Sequence, residues 1–294
     1  MLRLLRSEVY RVVRRWMPWV LLLMVIALSF VLYELIWVTS NAQLQALRAG
    51  TATPNPNAPP PELQIRSLES AIQSLRPSRL TDLGMGLVTG LGSILMIVFA
   101  ASHIGTEWAW GTLRTLLASG ASRLGFLVTK YVTLVAYAAV YMAVGIAAAL
   151  AASFVVSSQA GLDTSGIDAG LIASAAGRGL YAFLPYMALA SLIALWFRSA
   201  GGGIAAGLVI NFTESIAAGL LISLNRDLAW IANLGISRNV QAIARASATA
   251  DTNAPPGAVP LPDQAQAALV LAIWTLIFVT LAVWRLRNRD ITLA

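Results

Sequence analysis

The 294-residue sequence contains no cysteine, a single histidine (His103) and a single lysine (Lys130). The absence of cysteine excludes disulfide frameworks, thiol catalysis, iron–sulfur clusters and zinc sites with cysteine ligands. One histidine argues against multi-histidine metal sites and histidine proton relays. Charged residues are also scarce, at 11% against about 25% in an ordinary globular domain. This scarcity excludes a disordered chain, a coiled coil and a soluble nucleic-acid-binding protein, despite an isoelectric point near 10.4. We expect no catalytic residues and no metal site.

Apolar residues dominate what is present. They make up 58% of the chain, and the mean hydropathy is +0.73, values typical of a polytopic membrane protein. A membrane-spanning helix needs about 20 mostly apolar residues, and six stretches meet this condition. We therefore predict an all-α membrane protein with a single domain, 1–294, and with spans at 17–39, 84–104, 126–156, 170–197, 201–224 and 266–284.

Basic residues in the connecting segments indicate the orientation of these spans. With the N-terminus inside, the cytoplasmic segments carry a higher density of arginine than the outer loops, as the positive-inside rule requires. We predict a multi-pass protein of the plasma membrane with both termini in the cytoplasm. The net charge of +7 then reflects topology and contact with anionic membrane lipids, and no nucleic-acid partner is expected.

Residues 1–16 predict an amphipathic helix. At about 100° per residue, apolar side chains from Leu2 to Trp16 fall on one face and the arginines spread over the other. Such a helix suits the membrane interface; a charge cluster that only sets the topology of the first span is the alternative. Pro18 permits a turn into that span, because proline is tolerated in the first turn of a helix.

Both long outer loops, 40–83 and 225–265, contain apolar residues at three- and four-residue steps. This spacing predicts short extracytoplasmic helices that pack on the outer ends of the spans. The apolar residues are Ile65, Leu68, Ile72 and Leu75 in the first loop, and Leu228, Ile231, Leu234, Val240 and Ile243 in the second.

Two charged residues lie within predicted spans, Arg178 in the fourth and Glu214 in the fifth. Counted from the outer ends of their spans, both lie roughly 12–15 Å deep. Charges inside a membrane are usually paired, so we predict an intramembrane ion pair between them. Glu34 is a rival partner, and a polar patch along a substrate path is the alternative role.

The cytoplasmic segment 105–125, between the second and third spans, is longer than a turn requires. Trp110, Leu113, Leu116 and Leu117 form an apolar stripe within it. An exposed stripe of this kind commonly marks a contact with a protein or with a membrane. A loop helix that rests on lipid headgroups is the alternative.

The same segment contains the pattern Glu-x-x-x-Gly-Thr-Leu-Arg-x-Leu-Leu, from Glu107 to Leu117. Ala-Ser-Arg follows at 121–123, and Lys130 comes seven residues later. Together with the C-terminal Arg-Asp-Ile at 289–291, this pattern resembles the signature of ATP-binding-cassette (ABC) type-2 transporter permeases. Six spans and an N-terminal interfacial (elbow) helix are also similar to that family.

The resemblance implies the transmembrane (permease) subunit of an ATP-driven exporter. Such a subunit works with a separate ABC ATPase and forms a dimer with a second copy or a homologous permease. Residues 106–118 are then a cytoplasmic coupling helix seated in a groove of the ATPase. The implied coupling residues are Glu107 as polar contact, Trp110, Leu113 and Leu117 as apolar anchors, Arg114 as rim charge, and Gly111, Thr112 and Arg123 as further members of the signature.

The sequence contains no Gly-x-x-x-x-Gly-Lys-Ser/Thr phosphate loop, and Lys130 follows Val128-Thr129 instead of a glycine-rich turn. ATP and magnesium are therefore expected on the partner ATPase, with no cofactor bound by this chain and no enzymatic site of its own. A non-transporting membrane scaffold or sensor with the same fold is the alternative function.

Overall fold

The computed structural model describes residues 2–51, 59–113, 115, 120, 122–245 and 259–288, with the side chains of Leu2 and Arg3 left out. Across these ranges the fold is all-helical and contains no strand. Six helices are long and apolar enough to cross a membrane, which confirms the predicted number of spans and indicates a membrane protein. These six are α2 (Trp16–Arg48), α4 (Leu83–Ala109), α5 (Arg123–Ala160), α6 (Ala169–Phe197), α7 (Ala200–Leu224) and α9 (Gln264–Arg287). The shorter helices are α1 (Leu2–Arg14), α3 (Pro61–Gln73), α8 (Ile236–Arg245) and a single unlabelled turn at Ala229–Ala232.

Helices α2 and α5 extend past the bounds that the sequence predicted, α2 by ten residues in all and α5 by seven. Helix α5 has 38 residues, about 57 Å at 1.5 Å per residue, and therefore extends beyond a hydrocarbon core of about 30 Å. Helix α2 continues nine residues past the predicted end at 39, and Leu44 in this extension is buried. The extension packs on α3, where Ile72 is buried and Arg48 Nη2 lies 2.7 Å from Glu69 Oε1. Hydropathy marks only the apolar part of a helix, so it missed these polar continuations.

The structure confirms that both long loops contain helices, as their apolar spacing predicted. In the first loop α3 places Ile72 against the bundle, and Leu75, just after the helix, is fully buried. In the second loop α8 contains buried Ile236 and Ile243, and it packs against α9 and α6. Both loops therefore contribute apolar side chains to the core.

Helices α4 and α6 form the centre of the bundle. They contact each other more extensively than any other pair, and they are the two most buried of the six spanning helices. Helix α7 is the least buried, with exposed side chains including Val209 and Ile216. Apolar residues on the outer helices therefore face outward, as expected where the surroundings are lipid.

One end of the bundle, the proximal end, collects the starts of α2, α5 and α7 and the ends of α4, α6 and α9. There Arg15 Nη1 donates to Thr106 Oγ1 over 3.0 Å, joining the residue before α2 to the last turns of α4. Arg123, the first residue of α5, donates to the main-chain oxygens of Leu286 and Arg287 at 3.0 and 2.8 Å. The opposite, distal end includes α3 and α8.

A sharp bend separates α1 from α2. Arg15 has an extended backbone (φ −81°, ψ 138°), and Pro18 lies in the first turn of α2, where it interrupts no helical hydrogen bond. The indole nitrogen of Trp19 donates to the main-chain oxygen of Val13 over 2.8 Å, satisfying one of the free carbonyls at the end of α1. The turn that Pro18 predicted is therefore present.

Glycines let α4 approach its neighbours closely at selected points. A β-carbon at Gly105 would collide with backbone atoms of Ala200 at the start of α7, and one at Gly92 would meet the ring of Phe183. At Gly86 and Gly90, which form a GxxxG step, a β-carbon would meet nothing within 4 Å. The glycines of α4 therefore lie on two sides of the helix: one side packs within the chain and the other is exposed.

We expect Gly105→Ala to lower the free energy of unfolding by about 1–3 kcal/mol. The new methyl group would collide with backbone atoms of Ala200, which cannot rotate away as a side chain could. Gly90→Ala in the same helix is the matched control; open space surrounds it, and alanine is the better helix former. Unfolding in mixed detergent micelles, followed by circular dichroism, measures both variants. Equal effects at the two positions would contradict the close approach of α4 and α7.

Candidate functional site

A buried cluster of charged side chains lies at the proximal end. It joins three helices, with Glu8, Arg11 and Arg15 from α1 and the bend after it, Glu107 from α4, and Lys130 from α5. Lys130 and Glu107 are fully buried, and Glu8 is 2% exposed. We call these five residues the ion cluster.

Lys130 lies between the two carboxylates. Its ammonium nitrogen is 2.7 Å from Glu8 Oε2 and 2.8 Å from Glu107 Oε1, and it also donates to the main-chain oxygen of His103 over 3.2 Å. An ammonium group has three protons to donate, so all three have acceptors. The lysine is thereby fully satisfied without water.

Glu107 accepts from all three cations of the cluster. Arg11 Nη1 lies 3.1 Å from Glu107 Oε2, and Arg15 Nη2 lies 3.4 Å from Glu107 Oε1. The hydroxyl of Thr112, which follows α4, also donates to this carboxylate. Glu107 therefore ties the residues after α4 to α1 as well as to α5.

Glu8 completes the cluster from α1. Its carboxylate binds Arg11 through Oε1 and Lys130 through Oε2. His103 lies beside it, with Nε2 3.8 Å from Glu8 Oε2 and 2.8 Å from Thr133 Oγ1. Two carboxylates thus face three cations, which leaves an excess of positive charge on the arginine side.

Helical spacing explains why these side chains meet. In α1, Glu8 and Arg11 are three residues apart and Arg15 follows four later; His103 and Glu107 in α4 are four apart. Residues at these steps share one face of a helix. Each helix therefore turns one charged face toward the junction, and Lys130 provides the matching cation on α5.

Sequence reasoning included Glu107 and Lys130 in one motif but missed Glu8 and the arginines of α1 as their partners. A usable signal was present, because Glu8 is the single acidic residue in α1. A single acidic residue among arginines on an amphipathic helix indicates that its carboxylate has a specific partner inside the protein. It is weaker evidence for a solvent-exposed helix face.

Aromatic rings and arginines surround the ion cluster. Arg15 lies over Trp110 with 4.8 Å to the ring centroid, Arg198 over Trp108 with 5.3 Å, and Arg285 over Trp196 with 4.4 Å. In such cation–π contacts the guanidinium is attracted electrostatically to the face of the aromatic ring. Tryptophan also concentrates at membrane–water interfaces, so this collar marks the proximal end as an interfacial region.

The structure separates the predicted coupling residues into exposed and internal ones. Trp110 is 64% exposed, whereas Leu113 is 1% exposed and packs in the core. Glu107, which the sequence analysis assigned to the surface of a separate coupling helix at 106–118, is instead buried in the last turn of α4. Residues 106–109 continue α4 because their apolar and charged side chains find partners inside this chain. Arg114 and Leu117 lie outside the described residues.

Gly111 ends this stretch of α4. Its φ of +67° is in the left-handed region, which glycine adopts without steric cost. Thr112 and Leu113 return to helical backbone directly afterwards. The Gly-Thr-Leu part of the motif therefore encodes a helix end followed by a change of direction, with Thr112 held on Glu107.

Arg123, also predicted to couple to an ATPase, binds within the chain. Its two hydrogen bonds to the main-chain oxygens of Leu286 and Arg287 satisfy carbonyls at the end of α9, where a helix carries partial negative charge. Arg123 therefore joins the start of α5 to the end of α9.

The predicted ion pair between Arg178 and Glu214 is not formed: no ion pair within 4.0 Å joins these two described residues. Glu214 Oε1 instead accepts from the main-chain nitrogen of Ser237 over 2.9 Å, at the start of α8. The carboxylate thus caps a helix N-terminus, whose partial positive charge stabilises it. Gly235 permits this approach, since a β-carbon there would overlap Glu214 Oε1.

Among the described residues, no group of three or more acidic or histidine side chains could hold a metal ion. The acidic residues of the ion cluster bind cations of the protein itself. The arrangement is therefore suited to holding α1, α4 and α5 together.

The family model described as "Protein of unknown function (DUF2705)" matches residues 83–292. The chain belongs to the DUF2705 family. The match begins at the first residue of α4 and covers the last five spanning helices, so it includes Glu107 and Lys130 but not α1. None of the curated proteins compared with this DUF2705 chain matches it.

Replacing Lys130 tests the ion cluster of this DUF2705 chain. We expect Lys130→Met to lower the free energy of unfolding by about 3–5 kcal/mol, because two buried carboxylates lose their shared cation. Arg48→Met, which breaks the exposed pair with Glu69, is the control and should cost about 1 kcal/mol or less. Denaturant titration in detergent measures both, and a small effect at Lys130 would show that the cluster contributes little.

A double-mutant cycle tests the role of Glu214. We expect Glu214→Ala to destabilise the protein by about 1 kcal/mol through loss of the cap on α8. Arg178→Ala should add its effect independently, because no ion pair joins the two residues. Thermal unfolding of both single variants and the double variant gives the coupling energy. A coupling energy clearly different from zero would show that Arg178 and Glu214 interact and would support the predicted ion pair.

Proposed function

We propose that this chain is the transmembrane (permease) subunit of an ATP-driven exporter of the ABC type-2 class. It works in the plasma membrane with a separate ABC ATPase and with a second copy or a homologous permease. In this proposal α1 is the elbow helix, the proximal end faces the cytoplasm, and the residues from Trp110 onward form the coupling segment. ATP and magnesium bind to the ATPase, in keeping with the absence of a phosphate loop from this sequence.

One observation carries the proposal: the residues after α4 are joined to three helices through the ion cluster. Thr112 binds Glu107, and Glu107 binds Lys130 of α5 and both Arg11 and Arg15. Packed interiors and buried charge networks move between discrete arrangements and do not deform continuously. A force applied to this segment is therefore passed to α1, α4 and α5 together.

Exposure supports a partner contact at the same place. Trp110 is 64% exposed beside the guanidinium of Arg15, and large aromatic side chains of this kind anchor protein interfaces. Leu113 and Glu107, by contrast, hold the segment on the permease. In this proposal only Trp110 of these three contacts the ATPase, whereas the resemblance implied that contact for all three. Arg114 and Leu117 stay predicted contacts of the ATPase.

The distribution of charge supports a cytoplasmic proximal end. Exposed or partly exposed arginines gather there, in α1 and at the starts or ends of the spanning helices, and the tryptophan collar lies at the same end. Arginine in short segments beside spans favours the cytoplasmic side. These arginines are Arg6, Arg14, Arg123, Arg198, Arg285 and Arg287.

Photo-crosslinking in native membranes tests the proposal. We replace Trp110 with p-benzoyl-phenylalanine, irradiate cells and identify the crosslinked protein by mass spectrometry. We expect a protein that carries a phosphate-loop ATPase motif. The matched control is the same replacement at Trp230, which is 63% exposed and follows α7 at the distal end; it should capture no ATPase.

Capture of lipid alone at position 110 would overturn the assignment and favour a scaffold or sensor that keeps the fold without the motor. Capture of the ATPase from position 230 would reverse the proposed orientation. Both positions are exposed, so neither replacement disturbs the core, and gel filtration of the two variants checks that they fold alike.

A further inference from the structure

An apolar groove opens beside the ion cluster, between α1, the start of α2 and α5. Its volume is about 180 Å³. Along α5 it extends from Thr133 to Val140, about 10 Å at 1.5 Å per residue. It is lined by Val9, Val12, Val13, Pro18, Trp19, Leu22, Thr133, Ala136, Tyr137 and Val140.

The groove offers no free polar group to a ligand. The hydroxyl of Tyr137 donates to the main-chain oxygen of Pro18 over 2.8 Å, and that of Thr133 is bonded to His103 Nε2 over 2.8 Å. The remaining lining side chains are apolar, apart from the indole nitrogen of Trp19, which is bonded to Val13. An occupant must therefore be a hydrocarbon chain or an apolar side chain.

Helix α1 presents two different sides. Glu8, Arg11 and Arg15 hold one side on the ion cluster. Toward the other side, Val9 and Val13 form an exposed apolar strip four residues apart, 47% and 55% exposed, at the edge of the groove. The groove therefore opens to the surroundings of the bundle, which for spanning helices are lipid.

A basic strip runs alongside the apolar one. Arg6, Tyr10 and Arg14 follow one another at four-residue steps, and residues at that spacing share a helix face. Arg14 lies over the ring of Tyr10 with 5.1 Å to its centroid. Neither Arg6 nor Arg14 has an acidic partner within 4.0 Å among the described residues. Two cations beside an apolar groove match an anionic headgroup attached to an acyl chain.

We propose that α1 and the groove form a binding site for one anionic phospholipid, with an acyl chain between α1 and α5 and the headgroup phosphate at Arg6 and Arg14. The site rests on the membrane location of the chain and does not depend on the exporter function. The lipid holds α1 from the side opposite the ion cluster, so the composition of the surrounding leaflet controls how firmly α1 is seated.

Native mass spectrometry of the full chain in detergent tests the site, with dioleoyl-phosphatidylglycerol as the anionic probe and dioleoyl-phosphatidylcholine as the zwitterionic one. We expect one phosphatidylglycerol to be retained per chain at concentrations where phosphatidylcholine is lost. Equal retention of the two lipids would overturn the proposal.

Matched variants locate the lipid. Ala136→Phe fills the groove and should abolish the preferential retention, whereas Ala139→Phe, on an exposed part of α5 that does not line the groove, should leave it unchanged. Arg14→Gln should weaken phosphatidylglycerol binding about fivefold, the contribution of one basic residue near an anionic headgroup. Arg66→Gln, the same charge change in α3, should have no effect.

Two further outcomes contradict the site. Equal lipid loss in Ala136→Phe and Ala139→Phe would show that the bound lipid lies elsewhere. A change of measured mass from dimer to monomer in Ala136→Phe would show that a second copy of the chain, and not a lipid, occupies the groove. The headgroup comparison and Arg14→Gln keep the proposal testable if Ala136→Phe does not fold.

Discussion

A buried lysine must be neutralised, and this requirement organises the proximal end of the molecule. Transfer of an ammonium group into a packed helical bundle costs several kcal/mol unless a carboxylate and further hydrogen bonds compensate it. Lys130 obtains both from Glu8 and Glu107, which belong to different helices. If either carboxylate moved away, the buried ammonium group would lose a partner in an apolar interior. The positions of α1, α4 and α5 therefore depend on one another.

The two sides of α1 follow from this constraint. Ion pairs hold only one side of the helix against the bundle, so some of its apolar side chains are not buried inside the protein. Val9 and Val13 remain exposed beside a groove, and next to them lie Arg6 and Arg14, which have no acidic partner within 4.0 Å in the part of the chain that the structure describes. An amphipathic helix that only rests on the membrane surface has no fixed position relative to the helical bundle. Here the ion cluster fixes that orientation, which is why a defined lipid site is possible.

The residues Trp110 to Leu113 show how one short motif serves two purposes. Gly111 supplies the left-handed backbone that ends α4, Thr112 returns a hydrogen bond to Glu107, and Leu113 packs inside. Only Trp110 is left largely exposed. The sequence alone predicted Trp110 and Leu113 in one exposed apolar stripe, because periodicity cannot distinguish a helix face covered by the same chain from a face covered by a partner.

Hydropathy and periodicity by themselves determined the six spans, the amphipathic α1 and the helices of both long loops, because each depends on a short window of neighbouring residues. The partner of each charge was decided by the tertiary structure. Counting along the spans predicted a similar depth for Arg178 and Glu214, but depth says nothing about rotation about the helix axis, and Glu214 meets the start of α8 instead. Likewise, Glu8 finds Lys130 across 122 residues of chain, a contact that no local pattern contains and that only the packing of three helices produces.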